Sequence, residues 1–134
     1  MKDSVSITLP SKSEYVSIAR LTASVIANNI GFDIEEIEDI KVAVGEACNN
    51  AVIHGNDLDS KFNIEFKILS DKFTVEVSDN GKGFEITEYS EPDLMNPKEN
   101  GLGIFIMKSL MDEVEIKSLV DTGTSITMSK YINM

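Results

Sequence analysis

The most informative segment of this chain reads Glu46-Ala47-Cys48-Asn49-Asn50-Ala51-Val52-Ile53-His54. Its spacing is helical, and Glu46, Asn50 and His54 follow one another at intervals of four residues, on one helical face. A carboxylate and a carboxamide on neighbouring turns suit a hard cation such as Mg²⁺, which takes few protein ligands plus phosphate oxygens. A carboxylate that binds no metal could instead orient or deprotonate a hydroxyl. Taken alone, the pair could also be a solvated polar face.

Two glycine motifs lie further along the chain. Asp79-Asn80-Gly81-Lys82-Gly83-Phe84 follows a β-patterned run, and Gly101-Leu102-Gly103 opens an apolar helix. A hairpin turn accounts for many Asp-Asn-Gly sequences, but glycines before a helix N-terminus also form a natural phosphate site. The first motif lacks the further acids of a calcium loop and the Gly-Lys-Ser/Thr of a Walker loop. Together the three motifs predict a nucleotide site built by a helix, a strand end and a helix N-terminus.

Length and composition favour one globular domain. The chain has 134 residues, of which 42% are hydrophobic, and a net charge of −11. That charge argues against direct nucleic-acid or anionic-membrane binding, which rest on clustered Lys and Arg. No apolar run approaches the roughly 20 residues of a membrane span, and no signal peptide opens the chain. The lone Cys48 fits a reducing cytoplasm, so we expect a cytoplasmic protein and a single domain over residues 1–134.

The first half of the chain predicts a strand and two helices. Val5 to Leu9 alternate as a strand that ends at Pro10, and Ser11 to Glu14 match a capping box. The helix that follows is predicted to bury Ile18, Leu21, Val25 and Ile26 and to end at Gly31. A second capping box, Asp33 with Glu36, opens a helix that Gly55 closes. The apolar stripe of that helix is Ile37, Ile40, Val44, Ala47 and Ala51.

The second half predicts a hairpin, a long loop, a helix and two more strands. Residues 63–69 and 73–78 alternate around a tight turn, whereas residues 85–100 have no sustained period. A helix over about 102–111 and strands near 114–119 and 125–130 complete the chain. The order β-α-α-β-β-loop-α-β-β predicts an α+β fold with helices on one face of a mostly antiparallel sheet.

In this order the motifs resemble those of the GHKL ATPases, the superfamily of DNA gyrase, heat-shock ATPase chaperones, mismatch-repair ATPases and histidine kinases. Their N box is similar to residues 46–54, and their glycine boxes are similar to Asp79-x-Gly81-x-Gly83 and Gly101-x-Gly103. Gly123-Thr124 is similar to their Gly-x-Thr region. The match is closest to the bacterial anti-sigma-factor serine kinases of the sigma-B and sporulation sigma-F type, which residues 44–52 and 101–114 resemble. The resemblance implies the Bergerat ATP-binding sandwich, with a mixed, mostly antiparallel sheet.

The resemblance also implies residue roles. Asp79 would accept a hydrogen bond from the adenine amine, while Gly81 and Gly83 would let backbone approach the nucleotide. Asn50 would hold Mg²⁺ against the phosphates of ATP, and Glu46 would polarise the acceptor hydroxyl. The remaining implied positions are the lid at about 85–100 with its one cation Lys98, the phosphate-contacting Gly101, Leu102 and Gly103, Thr124 beside Asp79, and the partner-binding Arg20.

The implied activity is that of an anti-sigma factor and serine/threonine kinase. Its partners would be an RNA polymerase sigma factor and an anti-anti-sigma (STAS-type) protein that accepts the phosphoryl group, and it would form a homodimer. A histidine kinase is disfavoured because the chain's one histidine, His54, lies inside the ATP motif. Two alternatives stay open: a nucleotide-binding switch without kinase activity, and a stress-signalling kinase that activates a phosphatase. The presence of Glu46 favours a kinase over the binding-only switch.

Overall fold

The fold is an α+β sandwich, seen in a computed structural model that describes residues 3–55, 59–79, 99–119 and 123–132. The side chains of Glu99, Asn100 and Leu119 lie outside this description. The described elements are strand β1 (Asp3–Pro10), a 3-10 turn (Ser13–Tyr15), helices α1 (Val16–Ile30) and α2 (Ile34–Ile53), strands β2 (Lys61–Ile68) and β3 (Lys72–Asp79), helix α3 (Glu99–Leu110), and strands β4 (Glu113–Leu119) and β5 (Gly123–Tyr131).

The five strands form one sheet in the order β1-β2-β3-β5-β4. Among the described residues every pairing is antiparallel. Alternation puts apolar side chains on the helix-covered face, as in Phe62, Ile64 and Phe66 of β2, and polar side chains between them. The other face is polar, with hydroxyl contacts such as Ser6 Oγ to Asn63 Oδ1 at 3.2 Å. The predicted hairpin, the predicted strands and the α+β class are therefore confirmed.

Helix α2 is the centre of the core, because α1, α3 and the sheet all pack against it. It is buried along most of its length, from Ile40 to Ala51. Its N-terminus carries the predicted capping box, in which Glu36 N–H donates to Asp33 Oδ1 at 2.7 Å and Asp33 N–H donates to Glu36 Oε1 at 3.0 Å. The helix ends at Ile53 with His54 as its C-cap, one residue before the predicted Gly55.

Helix α1 packs through a different face from the predicted one. Its buried residues are Val16, Ala19, Ala23 and Ala27. Three of the four residues predicted as core are instead exposed: Ile18 by 43%, Leu21 by 62% and Val25 by 59%. Ile26 is partly buried against the core. The prediction was wrong because it followed side-chain size. The alanine stripe lets α1 and α2 approach closely, so the alanines form the interface between the two helices.

The start of α1 also differs from its prediction, while its end confirms it. No side-chain cap forms at Ser11, and the chain enters the helix through the 3-10 turn. Ser11 N–H donates to the Ser60 carbonyl at 2.9 Å, so this segment is fixed to the chain just before β2. At the other end Gly31 is the C-cap with φ of 109°, a left-handed conformation that favours glycine.

Helix α3 is fixed at its C-terminal end. Lys130 Nζ donates to the carbonyl of Leu110 at 3.0 Å, and Asp112 Oδ2 accepts from Tyr131 N–H at 2.7 Å. Both contacts join the end of α3 to strand β5. Its N-terminal half carries Gly103 close to Glu46 of α2, so this glycine lies on the side of the fold where α2 carries its polar residues. Among the described helices, none is long and apolar enough to cross a membrane.

The burial of Cys48 gives a test of this core. The side chain is fully buried on α2, and burial raises the pKa of its thiol to about 12. Since the thiolate is the reactive form, Ellman's reagent at pH 8 should label the native chain at least about 100-fold more slowly than the chain unfolded in guanidinium. Cys48→Ala gives the background rate. Equal rates for the native and unfolded wild-type protein would contradict this packing.

Candidate active site

A cavity of about 310 Å³ lies beside the C-terminal half of α2. It is bordered by residues from three separate parts of the chain: the turn before α1, helix α2 and helix α3. Its described lining residues are Ser13, Glu46, Asn49, Asn50, Val52, Ile53 and Gly103. Cavities of this volume hold small ligands or parts of larger ones.

Glu46 is the one charged residue among those described lining residues. It is half-buried on α2, and its Oε2 atom lies 3.6 Å from the position that a β-carbon would take on Gly103. The missing side chain of Gly103 therefore keeps the space in front of the carboxylate open. A carboxylate held at the edge of such a cavity can accept a proton from a hydroxyl placed there.

Asn50 lies one helical turn further along and is 6% exposed. Its Oδ1 atom is buried, and within the described part of the chain it has no hydrogen-bond partner. An unsatisfied buried carbonyl oxygen costs about 1–3 kcal/mol, so it points to a ligand that the folded protein binds. An oxygen donor of this kind fits Mg²⁺. The described residues contain no cluster of three or more His, Cys, Asp or Glu that could hold a metal.

His54 does not belong to the cavity lining described here. Its backbone N–H donates to the Asn50 carbonyl at 3.0 Å, which makes it the C-cap of α2. The three polar residues that helical spacing grouped together are therefore separated in the fold. Glu46 and Asn50 face the cavity, and His54 ends the helix.

A polar row crosses the end of the sheet. Asp79 on β3 is the cross-strand partner of Thr124 on β5, which is the partner of Ser118 on β4. Directly opposed residues share a face, and this face is the one that carries Val77 and Ile126 in the core. The hydroxyls of Ser118 and Thr124 are 2.8 Å apart. The family resemblance implied that Thr124 lies beside Asp79, and the strand register brings the two residues together.

The glycine boxes are described only in part. Gly81, Gly83 and Lys98 lie outside the described residues, as does the lid from residue 85 to residue 98. Helix α3 begins at Glu99, earlier than the predicted 102, so Gly101 lies inside its first turns together with Leu102 and Gly103 rather than ahead of it. The first four N–H groups of a helix have no partner within it, so this end still offers donors to a phosphate. Of these three residues, Gly103 lines the cavity.

Arg20 on α1 lies against Gly45 of α2. Its Cδ atom is 2.9 Å from the position of a β-carbon on Gly45, and Nη1 is 3.8 Å from the same point. The residue is exposed, whereas Gly45 is buried. A glycine in the middle of a helix costs about 1 kcal/mol relative to alanine. In return, the missing side chain of Gly45 leaves room for the aliphatic stem of Arg20 to cross the helix.

Sequence reasoning missed part of the cavity lining: Ser13, Asn49, Val52 and Ile53. Asn49 lies three residues after Glu46, so helical spacing could have found it. Ser13 could not be found in this way, because it reaches the cavity only through the packing of α1 on α2. Ile53 is 47% exposed and puts an apolar side chain beside the polar lining.

Comparison with known proteins gives consistent results. A model of the histidine kinase-like ATPase domain matches residues 9–130. The serine-protein kinase RsbW of Listeria innocua is 40% identical over 99% of this chain and 90% of its own length. RsbW of Halalkalibacterium halodurans is 37% identical over 97% of this chain and 84% of its own length.

Solved structures show the same fold. The RsbU and RsbW domains of a Mycobacterium tuberculosis protein align with a TM-score of 0.73 at 20% identity, over 99% of this chain. This chain spans about a third, 34%, of that structure. The mycobacterial sensor histidine kinase MprB aligns with a TM-score of 0.58 at 14% identity, over 95% of this chain and 97% of its own.

The unsatisfied Asn50 oxygen gives a prediction about stability. Asn50→Leu, which has a similar shape, removes a buried polar group without a partner, so it should raise the free energy of unfolding without nucleotide by about 1 kcal/mol. Urea unfolding followed by circular dichroism measures the change. Asn49→Leu is the matched control, and as an exposed position it should stay within about 0.5 kcal/mol of wild type. A large loss of stability in Asn50→Leu would mean that the carboxamide is satisfied inside the fold.

Proposed function

The chain belongs to the histidine kinase-like ATPase family and is a serine/threonine protein kinase, and we propose that it is an anti-sigma factor of the partner-switching type. In this proposal it sequesters an RNA polymerase sigma factor and phosphorylates a serine or threonine of an anti-anti-sigma (STAS-type) protein. The observation that carries the proposal is the cavity in which Glu46 and the unsatisfied Asn50 meet the N-terminal half of α3.

The nucleotide is proposed to lie along the line from the polar row to this cavity. Asp79 with Thr124 would hold the adenine, and Gly81 and Gly83 would let backbone approach it. The N-terminal turns of α3, at Gly101 to Gly103, would donate to the phosphates. Lys98 would add a positive charge from the lid proposed for residues 85–100, of which residues 99 and 100 are the first turn of α3.

Asn50 is proposed to hold Mg²⁺ through its buried Oδ1 atom. When bound, the ion supplies positive charge that neutralises the phosphates and the developing charge on the transferred group. The chain's own part is to place one oxygen ligand from a rigid helix. Because α2 is held in the core on its other faces, that oxygen is positioned before any nucleotide arrives.

Glu46 is proposed as the group that prepares the acceptor. The hydroxyl of the acceptor enters the cavity, and the carboxylate accepts its hydrogen bond and then its proton as the oxygen attacks phosphorus. The half-buried position excludes part of the water that would otherwise compete for this hydroxyl. A binding-only module would have no use for a carboxylate held there.

Helix α1 is proposed as the surface that meets other proteins. Its exposed side carries Ile18, Leu21 and Val25 on successive turns, together with Arg20. Apolar side chains grouped on one exposed face mark protein interaction sites more often than single ones do. We propose that this region serves the sigma factor, the anti-anti-sigma protein and a homodimer contact. Partners of this kind would place the protein in the cytoplasm.

The role of Glu46 is tested by Glu46→Gln. This variant should keep ADP binding in calorimetry, but transfer of labelled phosphate to a purified anti-anti-sigma protein of the source organism should fall about 10²–10⁴-fold, because the proton acceptor is gone. Asp79→Asn is the binding-deficient control and should lose both ADP binding and transfer. Full transfer by Glu46→Gln would exclude the catalytic role.

The role of Arg20 is tested by partner capture. Arg20→Ala should weaken binding of the partner proteins by about 10–100-fold and leave ADP binding intact, since buried interface arginines often dominate binding energy. Gly45→Ala should have a similar effect, because a β-carbon there would displace the arginine stem. Lys41→Ala, which removes a cation of α2, is the neutral control. Equal capture by wild type and Arg20→Ala would remove Arg20 from the interface.

A further inference from the structure

We propose that Ser13 is a self-phosphorylation site, to which the protein transfers the γ-phosphoryl group of ATP through the cavity that Ser13 shares with Glu46. The inference rests on the proposed kinase function and assigns that function a second acceptor within the chain itself. The observation that carries it is that Ser13 lines the same cavity of about 310 Å³ as Glu46, Asn50 and Gly103.

The hydroxyl of Ser13 is available for reaction. The residue is exposed, and within the described part of the chain its side chain has no hydrogen-bond partner. The neighbouring serines differ, because Ser11 Oγ is buried and Ser17 Oγ donates to the Glu14 carbonyl at 3.5 Å. Of these three serines, Ser13 alone is among the cavity's lining residues.

The backbone on both sides of Ser13 is held in place. Ser11 N–H donates to the Ser60 carbonyl at 2.9 Å, and Tyr15 N–H donates to the Lys12 carbonyl at 3.1 Å. Helix α1 then fixes the segment against α2, the helix that carries Glu46. A hydroxyl tethered close to a catalytic group reacts at a high effective concentration, so it needs no binding affinity of its own.

The transfer step balances without any further reactant. A lone pair of Ser13 Oγ attacks the γ-phosphorus of ATP, the bond from that phosphorus to the bridging oxygen breaks, and ADP leaves with the electron pair. The hydroxyl proton passes to the Glu46 carboxylate. The products are phosphoserine at position 13 and ADP, and each chain reacts once.

The product would change the cavity. A phosphoserine adds a charge of about −1.5 to −2 at neutral pH. This charge would lie in the space that an incoming acceptor hydroxyl needs, near the carboxylate of Glu46. The modified chain would therefore be closed to the anti-anti-sigma protein, which makes self-phosphorylation a brake on the proposed activity.

The test uses the purified full chain with Mg²⁺ and γ-labelled ATP and no other protein. We expect label to approach one phosphoryl group per chain and tandem mass spectrometry of the wild type to place it on Ser13. Ser13→Ala should reduce the label at least tenfold, and Ser13→Thr should retain it. Ser17→Ala, four residues further along at the start of α1, is the matched control and should label like wild type. Glu46→Gln should lose the label.

A mixing experiment tests the route within one chain. Affinity-tagged Glu46→Gln, incubated with active wild-type protein and labelled ATP, should stay unlabelled after repurification. Label on the tagged chain would overturn the intrachain route. An unlabelled wild type, or a phosphate mapped to any other residue, would overturn the proposal. If such a wild type still phosphorylates the anti-anti-sigma protein, the proposed function stands without the inference, and if it phosphorylates neither, both fail.

Discussion

The fold depends on the burial of α2, since a single helix must complete the core and also carry the polar groups of the site. Its packing faces are made of small and medium side chains, from Ile40 to Ala51, which α1, α3 and the sheet approach closely. Little freedom remains for the side chains of Glu46 and Asn50, because the backbone that carries them is fixed on its other sides. Preorganised groups need no reorganisation when charge develops. The close packing of α2 is thus the physical basis of the proposed chemistry.

Helix α3 is the second element of the site, and its two ends have different surroundings. Its C-terminal end is fixed to β5 by Lys130 and Asp112, whereas its N-terminal turns face α2 and the cavity. The N-terminal turns, which are proposed to meet the nucleotide, are thus connected through the helix to an end that is fixed to the sheet. A phosphate bound at the N-terminal turns would therefore bind a helix whose other end is held in place by the sheet.

The sequence predicted the elements well where local signals were strong. The capping box at Asp33, the left-handed Gly31 and the alternating hairpin strands each rest on short-range chemistry, and the structure confirms them. The face of α1 was mispredicted because two apolar stripes compete, and only the tertiary fit to α2 selects the alanines. Helix α3 begins earlier than predicted because Gly101 was expected to precede a helix that in fact includes it.

The candidate site likewise contains residues that local sequence signals could identify and residues that only tertiary packing brings into place. Glu46 and Asn50 could be grouped from their spacing on one helix, and Thr124 could be placed by its resemblance to a known motif. Ser13 could not be foreseen, because its place at the cavity follows from how the chain before α1 is tied to Ser60 and laid on α2. A sequence shows which residues can do chemistry, whereas the acceptor depends on what packing brings within reach. In a protein with a net charge of −11 and one carboxylate in the described cavity lining, the phosphates of the proposed nucleotide would be neutralised by the proposed metal, the helix N-terminus and Lys98 of the proposed lid. In the proposed mechanism those groups act on the phosphates and leave Glu46 free for the hydroxyl, so the acidic character of the chain is compatible with phosphoryl transfer.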